Sequence, residues 1–283
     1  MVSLALGNFD GVHLAHAAVL HAAAAYDNSI CLLFQKHPLE VIAGAAPPRL
    51  LSPEHLEKKI LACGIQRIAY LDFAQVRALT PEQFFEQILM ERFHAEVICC
   101  GYNYSFGKDR AGDVACLERL CRQHGVQLCV AEEKDFEGAS ISATRIRRCI
   151  EGGAVEKANA MLGYPFFYEA AVARGKQLGR ELGFPTINQY FGAGCVKPRA
   201  GVYASRVTVE GKTYAALTNI GDNPTISGDS FRSESYLFDF DKQVYGKPAT
   251  VELLRFIREE KKFKSTQALR AQVLRDIERA KHV

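Results

Sequence analysis

The sequence predicts two domains, an α/β domain with a doubly wound parallel sheet and then a small β-barrel with a C-terminal helix. In the first half, short apolar runs alternate with amphipathic helical patterns, as in parallel strands covered on both faces. From about Tyr164 the helical period disappears, and short strand patterns separated by turn residues follow. We place the boundary near Gly163, which gives domains 1–163 and 164–283.

Length and composition agree with two globular domains. The chain has 283 residues, 48% of them hydrophobic, and a domain commonly holds about 150. The net charge of +3 argues against a dedicated nucleic-acid-binding surface. Nine cysteines without CxxC spacing are typical of reduced thiols, and no stretch resembles a signal peptide or a membrane span. We expect a cytoplasmic protein whose partners are small molecules, not nucleic acid or membrane, with homo-oligomerisation left open.

Each element of the first half has its own signal. Continuous apolar runs predict strands at 2–6, 30–34, 68–73, 97–100 and 126–130. Helical periodicity predicts a first helix from about Leu14 to Tyr26. Further helices begin at the N-cap Ser52 with Pro53, at the capping box that opens on Thr80, and near Asp113.

The pattern of the second half predicts strands and one helix. Residues 202–209 and 213–218 predict a hairpin, because Glu210 and Gly211 form a two-residue turn between them. Residues 235–240 and 249–256 are further strand candidates. The final helix presents Leu269, Val273 and Ile277 as an apolar stripe.

The segment from Gly7 to His16 holds the first group of candidate site residues. It joins the first strand to the first helix, whose N-terminal N–H groups and dipole suit a phosphate. Gly7 and Gly11 allow close backbone approach to a ligand. His13 and His16 are three apart, so both imidazoles can donate to a polyphosphate from one helical face. A zinc half-site is the alternative for an HxxH pair, but the sequence offers no third ligand nearby.

This segment, GNFDGVHLAH, resembles the GxFDGxHxGH signature of bacterial FAD synthetases, with Ala15 where that family usually has Gly. FQKHP at 34–38, GYNYSFG at 101–107 and ISATRIR at 141–147 resemble the same family, with Ala143 replacing a usual Ser. The resemblance implies a Rossmann-like domain that converts FMN and ATP to FAD and pyrophosphate. It implies catalytic roles for His13, His16 and Arg147, nucleotide contacts by Gly7, Asn8, Phe9, Asp10, Gly11, Ser142 and Thr144, and flavin contacts by Asn103 and Phe106.

A second group of candidates lies in the strand-rich half, in GRELGFPTIN at 179–188. Closely spaced glycines form a loop whose N–H groups can cradle phosphate. Thr186 and Asn188 are two apart on an extended segment and point the same way, and their oxygens suit Mg²⁺ on ATP. Glu234, farther along, is a carboxylate that can accept a proton from an attacking hydroxyl.

This half resembles the riboflavin kinase domain. GRELGFPTIN is similar to its GRxLGFPTxN pattern, PRAGVY at 198–203 to its PxxGVY segment, and NIGDNPT at 219–225 to its NIGxxPT turn. The resemblance implies that Thr186 and Asn188 hold Mg-ATP and that Glu234 activates the ribityl hydroxyl. It implies ATP contacts by Gly179, Arg180 and Gly183, and flavin contacts by Gly201, Tyr203, Asn223 and Thr225.

Together the two halves predict a bifunctional riboflavin kinase and FMN adenylyltransferase, with Mg²⁺ at both sites. Two alternatives stay open. In the first, Ala15 and Ala143 have weakened the adenylyltransferase and leave a kinase alone. In the second, the chain is a flavin-binding sensor, although the set of Thr186, Asn188 and Glu234 argues against mere binding.

Overall fold

The computed structural model describes residues 1–175, 179, 183–222 and 231–281. Within it the chain divides into two compact units, Met1–Ala143 and Thr144–Val283. All nine cysteines are free thiols, and Cys31, Cys99, Cys100 and Cys121 are buried as small apolar side chains.

The first unit is built on a five-stranded parallel sheet, which confirms the predicted sheet type, and its strand order is β3-β2-β1-β4-β5. Its strands are β1 (Val2–Leu6), β2 (Asn28–Phe34), β3 (Arg67–Leu71), β4 (Val97–Gly101) and β5 (Gln127–Ala131). A ribbon of β6 (Asp135–Phe136) and β7 (Ala139–Ser140) follows. The α-helices are α1 (Leu14–Ala24), α2 (Pro38–Ala43), α3 (Pro53–Ala62), α4 (Phe73–Val76), α5 (Pro81–Gln83) and α6 (Val114–His124), with a 3₁₀ turn at Lys108–Arg110.

The helix that begins at the predicted capping box differs from the expected α-helix. Thr80 N–H donates to Gln83 Oε1 at 3.0 Å, and Gln83 N–H donates to Thr80 Oγ1 at 3.2 Å, so the capping box is confirmed. After α5, however, the chain continues as a π-helix, Phe84–Arg92. The wider turn brings two adjacent pairs of apolar side chains into the core: Phe84, Phe85, Ile88 and Leu89.

The strand order places a topological switch point at β1 and β4. The chain leaves β1 toward β2 on one side, while β4 pairs with the other side of β1, and Leu6 lies opposite Cys100. Ligands of open α/β sheets bind at the carboxyl ends of strands where the order reverses. The loops after Leu6 and after Gly101 therefore emerge side by side at the edge where such a ligand binds.

The second unit is a six-stranded antiparallel sheet in the order β8-β13-β10-β11-β12-β9. Its strands are β8 (Phe166–Ala171), β9 (Thr186–Tyr190), β10 (Gly201–Val209), β11 (Lys212–Asp222), β12 (Phe231–Leu237) and β13 (Pro248–Arg258). Among the residues described in this unit, the helices are α7 (Ala143–Glu151), α8 (Val155–Leu162) and α9 (Thr266–Ala280). A bridge between Ala173 and Asn188 brings the two edge strands together, so the sheet curls into a barrel-like form.

The predicted hairpin is confirmed as β10 and β11, since Glu210 (φ 49°) and Gly211 (φ 75°) both take the left-handed conformation of a tight turn. The strand predicted at 235–240 begins and ends earlier, as β12. Asp239 follows with a φ of 55°, which an extended strand does not accommodate. Ile277 of α9 packs with Val202, Ala204 and Leu217 on the outer face of the sheet.

The division between the two compact units falls between Ala143 and Thr144. The sequence places the boundary later in the chain, near Gly163. The Asn159 side chain of α8 bonds to the barrel. Its amide donates to the carbonyl of Leu253 at 2.9 Å and accepts from the N–H of Phe166 at 2.7 Å. Contacts therefore assign α8 to the barrel unit, although Gly163 does end this helix in the left-handed conformation.

Candidate active sites

The loop after β1 is a tightly folded turn with three left-handed residues. Phe9 (φ 51°), Gly11 (φ 82°) and Val12 (φ 38°) have positive φ, and Phe9 is buried. A Cβ at Gly7 would lie 3.1 Å from the Phe9 ring, so Gly7 permits this ring to fold back over the strand end. Asp10 accepts the N–H of Leu50 at 3.0 Å, which ties the loop to the chain before α3. Backbone strain of this kind is concentrated at functional sites.

His13 and His16 are brought together as predicted. Their rings stack with centroids 3.6 Å apart, and Phe9 meets His16 edge-on at 5.3 Å. His13 is the N-cap of α1, and its Nδ1 accepts the N–H of His16 at 3.3 Å. A neutral His13 therefore carries its proton on Nε2, the nitrogen that remains for a ligand. Within the described part of the chain, the buried Nδ1 of His16 has no hydrogen-bond partner.

Burial keeps both imidazoles uncharged. It lowers the pKa of His13 from 6.5 to about 4. Burial, and after it the neighbouring His13, holds the pKa of His16 well below its ordinary value. In the ligand-free protein the pair therefore consists of neutral hydrogen-bonding groups at neutral pH, and a bound polyphosphate would supply the negative charge that favours protonation.

We expect the free energy of unfolding of the first unit to fall as the pH falls from 7 to 5. Between the folded pKa of about 4 and the ordinary 6.5, the unfolded chain binds more protons at His13 than the folded chain does. Acid therefore favours unfolding in this window, by roughly 2 kcal/mol at pH 5 from His13. The measurement is hydrogen exchange with mass spectrometry over a urea series, read on peptides of the first unit at both pH values. His13→Asn keeps an N-cap acceptor and should reduce this pH dependence. An unchanged pH dependence in the variant would contradict the assignment.

The loop after β4 lies at the switch point, and two of its aromatic residues, Tyr104 and Phe106, pack in the core. Asn103 is exposed. Phe106, expected to contact flavin, is instead buried against Phe84 and Tyr104, with ring centroids 5.9 and 5.8 Å away. Its backbone N–H donates to the carbonyl of Gly112 at 2.9 Å. Phe106 therefore anchors the loop, and the flavin contacts of Asn103 and Phe106 stay predictions.

Ser142, Thr144 and Arg147 lie at the start of α7. Ser142 is the residue before this helix, Thr144 is exposed, and Arg147 is half-buried. The division into compact units passes between Ala143 and Thr144. Their nucleotide-binding roles, and the phosphate contact of Arg147, stay predictions.

In the second unit, three adjacent strands place a row of polar side chains on one face. Glu234 of β12 lies opposite Asn188 of β9 on one side and opposite Asn219 of β11 on the other. Residues directly opposite in an antiparallel sheet share a face, with Cβ atoms about 5 Å apart. Thr186 shares the face of Asn188, because the two are separated by one residue on β9. The structure thus brings together the predicted Mg-ATP residues and the predicted base.

Glycines approach this row so closely that no side chain would fit. A Cβ at Gly175 would lie 2.5 Å from the Asn188 amide nitrogen. A Cβ at Gly179 would lie 2.4 Å from the carbonyl oxygen of Phe184 and 3.6 Å from Thr186 Oγ1. Gly183 has a φ of 86°, which favours glycine. The side-chain oxygens of Thr186 and Asn188 beside these glycines fit an Mg²⁺ ion on a nucleotide, and their role as its ligands stays a prediction.

A polar pocket that is open to solvent adjoins Glu234. It is lined by Asn219, Gly221, Asp222, Arg232, Glu234 and Glu260. Arg232 Nη2 donates to Glu234 Oε1 at 2.5 Å, and Asn219 donates to Glu260 at 3.2 Å. A carboxylate at the edge of a polar pocket can reach a substrate hydroxyl, as proton abstraction requires.

Two residues predicted to contact flavin have structural roles, and their flavin contacts stay predictions. Tyr203 is fully buried, its hydroxyl donates to the carbonyl of Arg199 at 2.6 Å, and its ring meets Phe256 edge-on. At Gly201 (φ 154°), a Cβ would lie 2.5 Å from the Phe256 ring and 2.6 Å from the carbonyl oxygen of Arg258. Both residues therefore serve the packing of β10 on β13. Arg180, Asn223 and Thr225 lie outside the described residues.

Gly201→Ala should lower the free energy of unfolding by about 2–4 kcal/mol, because the methyl group overpacks the β10–β13 contact and the backbone is unfavourable for alanine. Gly211→Ala is the matched control. It also has positive φ, but its Cβ would meet nothing within 4 Å, so we expect a cost near 1 kcal/mol. Urea unfolding of both variants measures the difference. Equal costs would contradict the close approach at Gly201.

The sequence reasoning missed Asn219, Arg232 and Glu260 as site residues. For the first two, strand periodicity holds a signal. Arg232 is two residues before Glu234 on an extended segment, and therefore on its face. Glu260 has no such signal, because it reaches the pocket from the chain after β13.

Comparison with known families matches both halves of the chain. The family model described as FAD synthetase matches residues 1–145, and the one described as riboflavin kinase matches residues 162–283. Curated relatives named bifunctional riboflavin kinase/FMN adenylyltransferase occur in Listeria monocytogenes (33% identity) and Haemophilus influenzae (34% identity). The first match covers 96% of this chain and 89% of the relative, and the second covers 99% and 93%.

A solved structure shares the arrangement over the whole chain. It is a crystal structure from Streptococcus pneumoniae described as a macrolide-efflux protein, with a TM-score of 0.90 and 29% identity. The match covers 100% of this chain and 94% of the other. The efflux description belongs to that protein. Among the residues described here, no helix has the length and apolar character needed to cross a membrane.

Proposed function

The chain belongs to the family of bifunctional riboflavin kinases/FMN adenylyltransferases, and on that premise we propose which residues carry each activity. It phosphorylates riboflavin to FMN and adenylylates FMN to FAD, each with ATP. The row of Asn188, Glu234 and Asn219 is the proposed kinase site. The loop and helix start around His13 and His16 form the proposed adenylyltransferase site.

In the kinase reaction, Glu234 accepts the proton of the riboflavin 5′-hydroxyl. The hydroxyl oxygen then attacks the γ-phosphorus of ATP, and ADP leaves. The position of Glu234 supports this role, because its side chain is 33% exposed at the edge of the polar pocket and can meet a substrate. Asn219 and Glu260 offer further polar groups to the ribityl chain from the same pocket.

Mg²⁺ with ATP remains a proposal. Thr186 and Asn188 would hold it, since their side-chain oxygens share one face of β9 beside the glycine cradle. When bound, the ion would neutralise charge on the transferring phosphoryl group. The glycines at 175 and 179 keep side chains out of the space beside these ligands.

In the adenylyltransferase reaction, a phosphate oxygen of FMN attacks the α-phosphorus of ATP, and pyrophosphate leaves. No proton need be removed from an ionised phosphate, so the protein's task is positioning and charge stabilisation. His13, through Nε2–H, and His16 donate hydrogen bonds to the phosphates from the start of α1. The helix dipole adds a positive end at the same point. Arg147 is proposed to hold the phosphate.

One observation carries the kinase assignment: Glu234 lies between Asn188 and Asn219 on adjacent strands. The experiment is a chromatographic time course with riboflavin, ATP and Mg²⁺. We expect FMN to form first and FAD to follow. Formation of FMN without FAD would favour the kinase-only alternative, in which Ala15 and Ala143 have weakened adenylylation. Flavin binding without any turnover would favour the sensor.

A further inference from the structure

Arg232 and Glu234 form an ion pair at the edge of the kinase pocket. Arg232 Nη2 lies 2.5 Å from Glu234 Oε1, and the side chains are 6% and 33% exposed. We propose that Arg232 is a positioning residue for the kinase reaction, holding one oxygen of the Glu234 carboxylate so that the other faces the riboflavin hydroxyl. This inference rests on the proposed role of Glu234 as proton acceptor.

The environment of the pair distinguishes it from surface ion pairs. Arg206 and Glu252 form a comparable pair at 2.9 Å on the same sheet, but Arg206 is 47% exposed. Exposed pairs contribute about 0–1 kcal/mol and leave both side chains free to move. A buried guanidinium is held by its surroundings, and its hydrogen bond to a carboxylate fixes the geometry of both groups. Arg232 can therefore orient Glu234, whereas Arg206 serves as a natural control.

The unpaired atoms of the two residues also indicate a substrate. Across the described ranges, Glu234 Oε2 has no hydrogen-bond partner, and the buried Nε of Arg232 has none either. A buried donor without an acceptor is costly, and such groups in native proteins call for an explanation. Both residues line the pocket, where the hydroxyl of a substrate can donate to Oε2.

The reaction gives each carboxylate oxygen a separate task. As the substrate O–H bond breaks, its proton passes to Glu234 Oε2. The hydroxyl oxygen forms its bond to the γ-phosphorus, and the bond from this phosphorus to the β–γ bridging oxygen breaks as ADP leaves. Oε1 stays on Arg232 throughout, so the carboxylate cannot turn away. Glu234 later releases the proton to solvent.

The test replaces the guanidinium and measures kcat and KM of FMN formation separately. Arg232→Met should lower kcat by about 100-fold, the scale expected for a misplaced catalytic group, with KM for riboflavin and ATP changing less than about threefold. Arg232→Lys should restore part of kcat. Guanidinium ion added to Arg232→Ala should restore kcat several-fold, whereas Arg206→Met should retain the wild-type values.

Two further readouts separate the possible failures. Riboflavin binding, followed by flavin fluorescence, reports whether the barrel of each variant is folded. If Arg232→Met does not bind riboflavin, guanidinium rescue of Arg232→Ala tests whether the missing guanidinium causes the loss of kcat. If Glu234→Gln is inactive, a wild-type kcat in Arg232→Met, or an effect confined to KM, would overturn the positioning role of Arg232. The proposed role of Glu234 would then stand. An active Glu234→Gln would overturn the proposed role of Glu234 itself.

Discussion

Glu234→Gln should reduce FMN formation by about 10²–10⁴-fold and leave the conversion of FMN to FAD unchanged. The amide keeps the size of the side chain and its place opposite Asn188 and Asn219, but it cannot accept the hydroxyl proton. Adenylylation should persist, because its proposed site lies at the start of α1 in the other compact unit. Separate assays starting from riboflavin and from FMN measure the two effects.

Glu252→Gln is the matched control for that substitution. Glu252 also pairs with an arginine of the barrel, at 2.9 Å, but it lies on β13 and is not among the residues that line the pocket. We expect its kinase activity to stay near the wild-type level. Loss of both activities in Glu234→Gln would argue against separate sites, and an active kinase would exclude Glu234 as the base.

The junction of β1 and α1 could be predicted because local sequence determines it. An apolar run, a glycine-containing turn and a helical period follow in direct succession, and the structure reproduces β1 at Val2–Leu6 and α1 at Leu14–Ala24. The β10–β11 hairpin was predictable for a similar reason, since Glu210 and Gly211 suit a tight turn. The stacked HxxH pair owes its geometry to the cap, because His13 lies just before α1 and its side chain accepts the N–H of His16.

Features that depend on tertiary packing were not predictable from the same patterns. The π-helix after Gln83 places four aromatic and aliphatic side chains in the core through a wider turn than an α-helix allows. Phe106, Gly201 and Tyr203 stand in motifs that suggest ligand contacts, yet each is used to pack the chain. A motif marks the segment near a site, and tertiary packing gives some of its side chains structural roles that the motif does not reveal.

The burial of ion pairs within the barrel could not be predicted from sequence patterns either. The spacing of Arg232 and Glu234 places them on one face, but any strand of alternating polar residues would give that result. The 6% exposure of Arg232, against 47% for Arg206, separates this pair from the pair of Arg206 and Glu252. Burial depends on strands from distant parts of the chain, and therefore on the fold as a whole.

His16→Ala should have the opposite effect to Glu234→Gln, with the FMN-to-FAD step slowed and the kinase intact. Loss of one hydrogen-bond donor to developing charge typically lowers kcat by about 10²–10³-fold. His16 qualifies for that role because its ring stacks on His13 at 3.6 Å and its buried Nδ1 has no partner in the described portions of the chain. A neutral imidazole held without a protein partner is available to a ligand.

The measurement is kcat for FAD formation from FMN and ATP, beside FMN formation from riboflavin. His21→Ala is the control, since His21 lies on the same helix but is exposed in its last turn, and we expect both activities to be retained. His16→Gln, which keeps a hydrogen-bonding group, tests whether the loss comes from the missing donor or from the cavity beside Phe9. Recovery in His16→Gln would identify the donor as the cause. Equal losses in both variants would show that His16 acts by packing the loop. Full activity in His16→Ala would show that His13 and the N-terminus of α1 stabilise the phosphate charge without His16.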